Sequence, residues 1–229
     1  MIDRPTSAIR ATPIPGEGVG ASFDIDAMRF ASAQSWIAVN AMADAFTAGM
    51  READGVRIGR VILKELGMER IWHPIQVRFG TNTLKTFRQK SDPDVVLGSD
   101  DIYFIDLGPV FRGHEGDVGA TFTTGGDPEK AACAMAAKTL FDDVRTQWSI
   151  QGLSGPALYA YAQRRAREMG WRLNRGTQGH RVGDFPHSIH RGGTLGAFGS
   201  RPGAGIWVLE IQIAHPEKPF GAFYEDVLL

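Results

Sequence analysis

Acids interrupt apolar, strand-like stretches at three places in this chain. Asp106 closes the apolar run at 102–105, Glu210 stands within Trp207-Val208-Leu209-Glu210-Ile211, and Glu225 lies within Phe223-Tyr224-Glu225-Asp226-Val227-Leu228-Leu229. An ionised carboxylate is too costly to bury alone, so a strand that carries one inward normally supplies it with a cation or a buried partner. A fourth acid, Asp117, follows Asp106 by eleven residues across a glycine-bearing turn at 112–116, which reads as a hairpin with a carboxylate on each strand. His180, in Gly179-His180-Arg181-Val182-Gly183, completes the order Asp, Asp, His, Glu, Glu. Four carboxylates and one imidazole suit two hard or borderline divalent cations, Mn, Co, Fe or Zn, with carboxylates bridging them and thiolates taking no part. Each acid alone has a plainer account. Asp106 before Leu-Gly-Pro serves as a turn acid, Asp117 as an arginine partner, and Glu225 as a C-terminal surface residue; only the joint pattern points to a dinuclear metal centre.

Around these residues the chain alternates helix pairs with strands. Residues 1–22, with Pro5, Pro13, Pro15, Gly16, Gly18 and Gly20, read as an extended N-terminal arm, loosely ordered or laid across a neighbouring subunit in a homodimer. The remainder, 23–229, reads as one domain. A helix capped by Asp24 or Asp26 runs to about residue 47, a second spans 51–66 and stops at Gly67, and a strand covers 71–79 before a polar loop at 85–101. Asp127-Pro128 starts another helix, to about residue 148, and Ser154-Gly155-Pro156 starts a fourth, to residue 169. Periodicity alone supports a mixed helix and strand fold with strands separated by helix pairs.

With these residues in place, the chain resembles the pita-bread metallopeptidases, the family of methionine aminopeptidase, aminopeptidase P, prolidase and creatinase. The segments IDLG…GD and GHxxG and the two late Glu-bearing strands carry the resemblance, which covers about 24–229. It implies an α+β pita-bread fold, two pseudo-symmetric α/β halves around a curved antiparallel sheet. It also implies two divalent metal ions, Mn favoured, with Asp106 on one, His180 and Glu210 on the other, and Asp117 and Glu225 on both. By the same resemblance Glu210 is the general base for a water between the metals that attacks an amide carbonyl, and His187 contacts the substrate and the developing tetrahedral centre. His190, just after, is a substrate contact or a surface residue.

Three departures bear on the substrate. The family histidine expected near Thr86 is missing, and His73 lies upstream of that position, replacing it only if the strand register differs. Arg181 stands where the family's GHGIG has a glycine, which makes it a candidate substrate contact. Phe223 and Tyr224 occupy the stretch where prolidase-like members often carry an arginine. An aminopeptidase or dipeptidase acting on short peptides, of Xaa-Pro type or similar, is the activity implied. A metal-dependent step on a peptide-like or amino-acid-derived metabolite is the alternative, and a non-catalytic protein-binding domain is a third reading, at odds with a full ligand set.

Composition limits the partners. A formal net charge of −1 offers no basic footprint for nucleic acid. The apolar runs fall short of a membrane span. Cys133 is the one cysteine, so no internal disulfide forms, and a reducing, cytoplasmic setting is expected. The glycine-rich 192–199 lacks the spacing and the Lys-Ser/Thr ending of a phosphate loop and reads as a pocket rim.

Overall fold

A computed structural model describes residues 14, 16–184 and 193–229. Helix α1 (Ile25–Ala45) begins where the Asp24 carboxylate accepts hydrogen bonds from the backbone N–H groups of Asp26 (2.8 Å) and Ala27 (3.1 Å), so Asp24 is the cap. Met28, Ala31, Ser35, Ala38, Val39 and Met42 recur at helical spacing and are buried. Helix α2 (Glu52–Glu65) ends before Gly67, and strand β1 (Arg70–Phe79) follows. Strand β2 (Ile102–Phe111) turns at Arg112 and Gly113, both at positive φ, into the short β3 (His114–Glu115), and β4 (Val118–Thr123) starts just after Asp117. The expected simple hairpin is therefore a two-step one, and Asp117 precedes its second long strand rather than lying within it.

The second half repeats the pattern. Helix α3 (Pro128–Thr146) is capped by Asp127 and runs on into a π turn, Gln147–Gln151; helix α4 (Gly155–Glu168) leads to β5 (Arg172–Leu173). Then come β6 (His180–Arg181), β7 (Trp207–Ala214) and β8 (Gly221–Val227). The antiparallel sheet has the order β1-β2-β4-β8-β7-β5, with β3 beside β2 and β6 beside β7. The order is a palindrome of roles: each half contributes two helices and then four strands, three of them in line from edge to centre, and the halves meet at β4 and β8.

Alternation along the strands sorts the side chains. Tyr103, Ile105 and Leu107 pack with Met42, Leu63 and Phe79 in one core, while Leu209, Ile211, Ile213 and Ala222 pack with Leu140, Phe141 and Leu158 in the other. Cys133 is buried in that second core. The intervening residues Phe104, Asp106, Glu210, Gln212, Phe223 and Glu225 belong to the opposite face. Asp226, pointing helixward beside Glu225, accepts hydrogen bonds from Trp36 Nε1 (2.8 Å) and Ser32 Oγ (2.9 Å), tying α1 to the far half.

The described part of the N-terminal arm lies on its own chain. Glu17 Oε1 accepts from Gly203 N (2.6 Å) and Trp207 Nε1 (2.7 Å), and Asp184 accepts from Gly20 N (2.9 Å) and Ser22 Oγ (3.0 Å). Trp207 is fully buried, so Glu17→Ala leaves its indole N–H stranded. The expected cost is about 1–3 kcal/mol, read as a lower urea midpoint with an unchanged slope.

Candidate metal centre

Backbone register builds a row of acids. Asp106 on β2 pairs with Gly119 on β4, Gly119 pairs with Glu225 on β8, and Glu225 pairs with Glu210 on β7. Directly paired residues share a face, so Asp106, Glu225 and Glu210 stand side by side across the join of the halves, with the side-chain-less Gly119 between. Asp117 reaches the same place from the turn before β4, and His180 from β6, opposite Val208.

Two groups of donors share Asp117. His73, Asp106 and Asp117 form one; Asp117, His180 and Glu225 form the other, each with its donor atoms within 4.8 Å of one another. Asp117 Oδ2 lies 3.1 Å from His180 Nε2 and Asp117 Oδ1 lies 3.0 Å from His73 Nε2. Donors about 2.1 Å from a common ion stand roughly 3.0–3.4 Å apart at octahedral or tetrahedral angles, and these separations fall in that range. Glu225 is 1% exposed and its Oε1 has no hydrogen-bond partner among the described residues. Buried carboxylates in contact, one with an oxygen left unmatched, are the arrangement that a multivalent cation satisfies. The donor set fits a divalent metal.

The electrostatics carry the same imprint. Burial, reinforced by Asp106 and Asp117, pushes the Glu225 carboxyl well above its ordinary range. Burial also raises Asp106 against the pull of His73, and Glu210 against the pull of His180. Asp117 goes the other way: burial opposes its charge, but His73 and His180 outweigh it and hold the carboxyl down. Burial depresses both imidazoles, and Asp117 more than compensates, lifting His180 to about 9 and, with Asp106, His73 well above its usual value.

Glu210 stands at the margin of this cluster. Its Oε2 accepts the Gly179 N–H at 2.7 Å, and the Tyr159 hydroxyl donates to its carbonyl at 2.9 Å. Gly179 has φ +66, and a Cβ there would lie 2.4 Å from the Val208 carbonyl oxygen. The glycine before the histidine is thus a requirement of local packing.

A shallow cleft opens beside Asp106 and Glu210, lined by Phe104 and Phe223 and by Lys85, Thr86 and Phe87. Gln212 pins that rim, donating to the carbonyls of Thr83 (3.0 Å) and Lys85 (3.1 Å). Arg181, the anticipated substrate contact, is 5% exposed; its guanidinium donates to the carbonyls of Gly16 (3.1 Å), Gly18 and Val182 (2.7 Å), holding the N-terminal segment. His187 and His190 lie outside the described residues. Glu115, fully buried in β3 with its Oε1 near the His73 ring across Gly108, was missed in the sequence. Its only signal is its place in GHEGD.

Residues 26–229 match the profile of Metallopeptidase family M24. Among solved structures, the prolidase from Pyrococcus horikoshii OT3 is similar at 20% identity and a TM-score of 0.71, over 89% of this chain and 58% of that one. An X-Pro aminopeptidase from Thermotoga maritima MSB8 is similar at 18% identity and 0.72, over 90% of this chain and 62% of that one. A methionine aminopeptidase from Thermotoga maritima gives 15% identity and 0.67, over 94% and 97%. The chain therefore spans about three fifths of the first two and nearly all of the third. No curated protein matches it by sequence. These likenesses establish the pita-bread fold, two halves around an open antiparallel sheet. No helix among the described residues is long and apolar enough to cross a membrane.

Proposed function

The chain belongs to metallopeptidase family M24, and from that premise we propose that it is a dinuclear-metal hydrolase of peptide or related amide bonds, an aminopeptidase or dipeptidase of Xaa-Pro type or similar. The observation that carries the reading is the convergence of Asp106, Asp117, His180 and Glu225 from both halves on one place, with Glu210 in register beside them. Asp106, Asp117, His180, Glu210 and Glu225 would hold two divalent cations, manganese favoured. When bound, such cations acidify water and polarise a carbonyl oxygen.

The remaining roles fall to the protein. Glu210, steadied through one oxygen by the Gly179 N–H and lining the cleft, would take a proton from the attacking water. Phe104 and Phe223, with ring centroids 5.1 Å apart, offer an apolar floor suited to a pyrrolidine ring or an aliphatic side chain. The Lys85 side chain at the rim suits the carboxylate of a short peptide. Cys133, buried and lone, supports a reducing, cytoplasmic setting.

Thr86 and Phe87 line this cleft, in the stretch where the family histidine is missing, and that observation favours a second reading. An amino-acid-derived metabolite would then replace a generic peptide. Elemental analysis of protein purified without chelator, followed by a dipeptide panel that includes Xaa-Pro substrates, tests both. Two equivalents of divalent metal and Xaa-Pro cleavage are expected. Full metal loading with negligible dipeptide turnover would move the assignment to the metabolite, and absence of metal uptake would overturn both.

A further inference from the structure

His73 sits in β1 between two irregularities of register. Ile71 pairs with Pro109, His73 with Gly108 and Gln76 with Asp106, so residues on β1 are inserted on both sides of the histidine. Bulges of this kind re-aim a side chain, and Pro74 is at home in one. The ring passes over Gly108: a Cβ on that glycine would lie 2.3 Å from His73 Cδ2 and 2.4 Å from Nε2. Strand β2 keeps a glycine there, and the imidazole thereby reaches the acids.

The ring's two nitrogens are set as a ligand's are. Nδ1 lies 3.0 Å from the Pro74 carbonyl oxygen, which can only accept, so Nδ1 carries a proton and donates. Nε2 faces Asp117 Oδ1 at 3.0 Å and Asp106 Oδ1 at 3.6 Å. His180 repeats the arrangement, with Nδ1 3.2 Å from the Arg181 carbonyl and Nε2 3.1 Å from the other oxygen of Asp117. Metal-bound histidines characteristically donate the second ring N–H to a carbonyl or carboxylate, which fixes the tautomer. Each oxygen of Asp117 therefore faces one imidazole oriented in the same manner. In the adjoining group the buried Oε1 of Glu225, without a hydrogen-bond partner among the described residues, leaves an acceptor in the same locality for a ligand to meet.

We propose that His73 is a ligand to the cation held by Asp106 and Asp117, so that each of the two metal positions carries an imidazole. The inference rests on the dinuclear reading above. It replaces the substrate-contact role expected for His73 and makes the first position, with Asp106, Asp117 and Glu225, a three-acid, one-histidine site rather than an all-carboxylate one. That change raises its preference for borderline cations such as Co, Fe and Zn over purely oxygen-seeking ones.

The test uses the full chain loaded with Co(II). A coordinated histidine bound through Nε2 keeps an exchangeable Nδ1–H, which appears as a strongly shifted proton NMR signal. Wild type is expected to take up two equivalents, with His73→Ala removing one shifted signal and His180→Ala another. Calorimetric titration of His73→Ala is expected to show one equivalent weakened by about 10-fold to 100-fold or more, with the melting of the metal-free protein recorded beside it. His73→Gln, closer in size and polarity, provides the same comparison if the alanine variant fails to fold. If wild type takes two cobalt ions and the His73 variants keep every shifted signal and both affinities, His73 is no ligand and the dinuclear reading stands. If wild type takes up no divalent ion, the dinuclear reading falls and this inference falls with it.

Discussion

Asp117→Ala is expected to eliminate the binding of both cations and to reduce turnover to background. Asp117 is the one residue common to both donor groups, with an oxygen toward each histidine. Its loss deprives each position of a charged ligand and leaves the remaining acids facing each other without a shared partner. Glu225→Ala is expected to abolish metal pairing as well, because Glu225 joins β8 to the same cluster. Metal analysis after gel filtration is the measurement, and two ions retained in either variant would contradict the assignment. The isosteric Glu225→Gln separates function from stability. Burial and neighbouring carboxylates disfavour the Glu225 charge in the metal-free protein, so a neutral amide of the same shape takes the place of a side chain that gains nothing there from ionising. The variant is expected to lose metal yet, in chelator, to unfold at a denaturant concentration no lower than that of wild type.

Gly179→Ala is expected to cost roughly 2–5 kcal/mol, from about 1–2 kcal/mol for an alanine in left-handed backbone and about 1–3 kcal/mol for overpacking. The added methyl would meet the Val208 carbonyl at 2.4 Å, Leu195 Cβ at 2.9 Å and the Tyr159 hydroxyl at 3.1 Å. These neighbours surround the N–H that holds Glu210, and the next residue is His180. Stability and catalysis should therefore fall together. Denaturant unfolding checks the first, and kcat at saturating metal checks the second; an unaltered midpoint would refute the packing account.

The acids were legible because burying a charge in an apolar strand is exceptional, and each exception leaves a local mark. Asp106, Glu210 and Glu225 each break an apolar run, and the register then sets them in a single row. The helix starts at Asp24 and Asp127-Pro128 were legible for a similar reason, since capping is a matter of two or three adjacent residues. His73 was not. Its position depends on two insertions in β1 and on a glycine 35 places further along the chain, and neither disturbs the apolar pattern that signals a strand. Arg181 was read through its neighbour in the motif, as a group facing substrate. Its guanidinium donates to the carbonyls of Gly16 and Gly18 as well as of Val182, and contacts at the separation of the first two leave no trace in local sequence. Asp117 fell between: its spacing from Asp106 was plain, while the intervening β3 step was hidden in five residues.

In the sheet itself the ladder between the halves is short, while side chains such as Asp226 and Gln212 join them on either side. Between β4 and β8 the paired residues are Gly119 and Glu225, and beyond them the Thr121 hydroxyl both donates to the Phe223 carbonyl (2.9 Å) and accepts its N–H (2.7 Å). With Asp106 and Asp117 belonging to one half and His180, Glu210 and Glu225 to the other, a cation seated there would add a cross-link between them. Loading at one hundred times the dissociation constant would add about 2.7 kcal/mol per independent site, applied at the seam of the sheet.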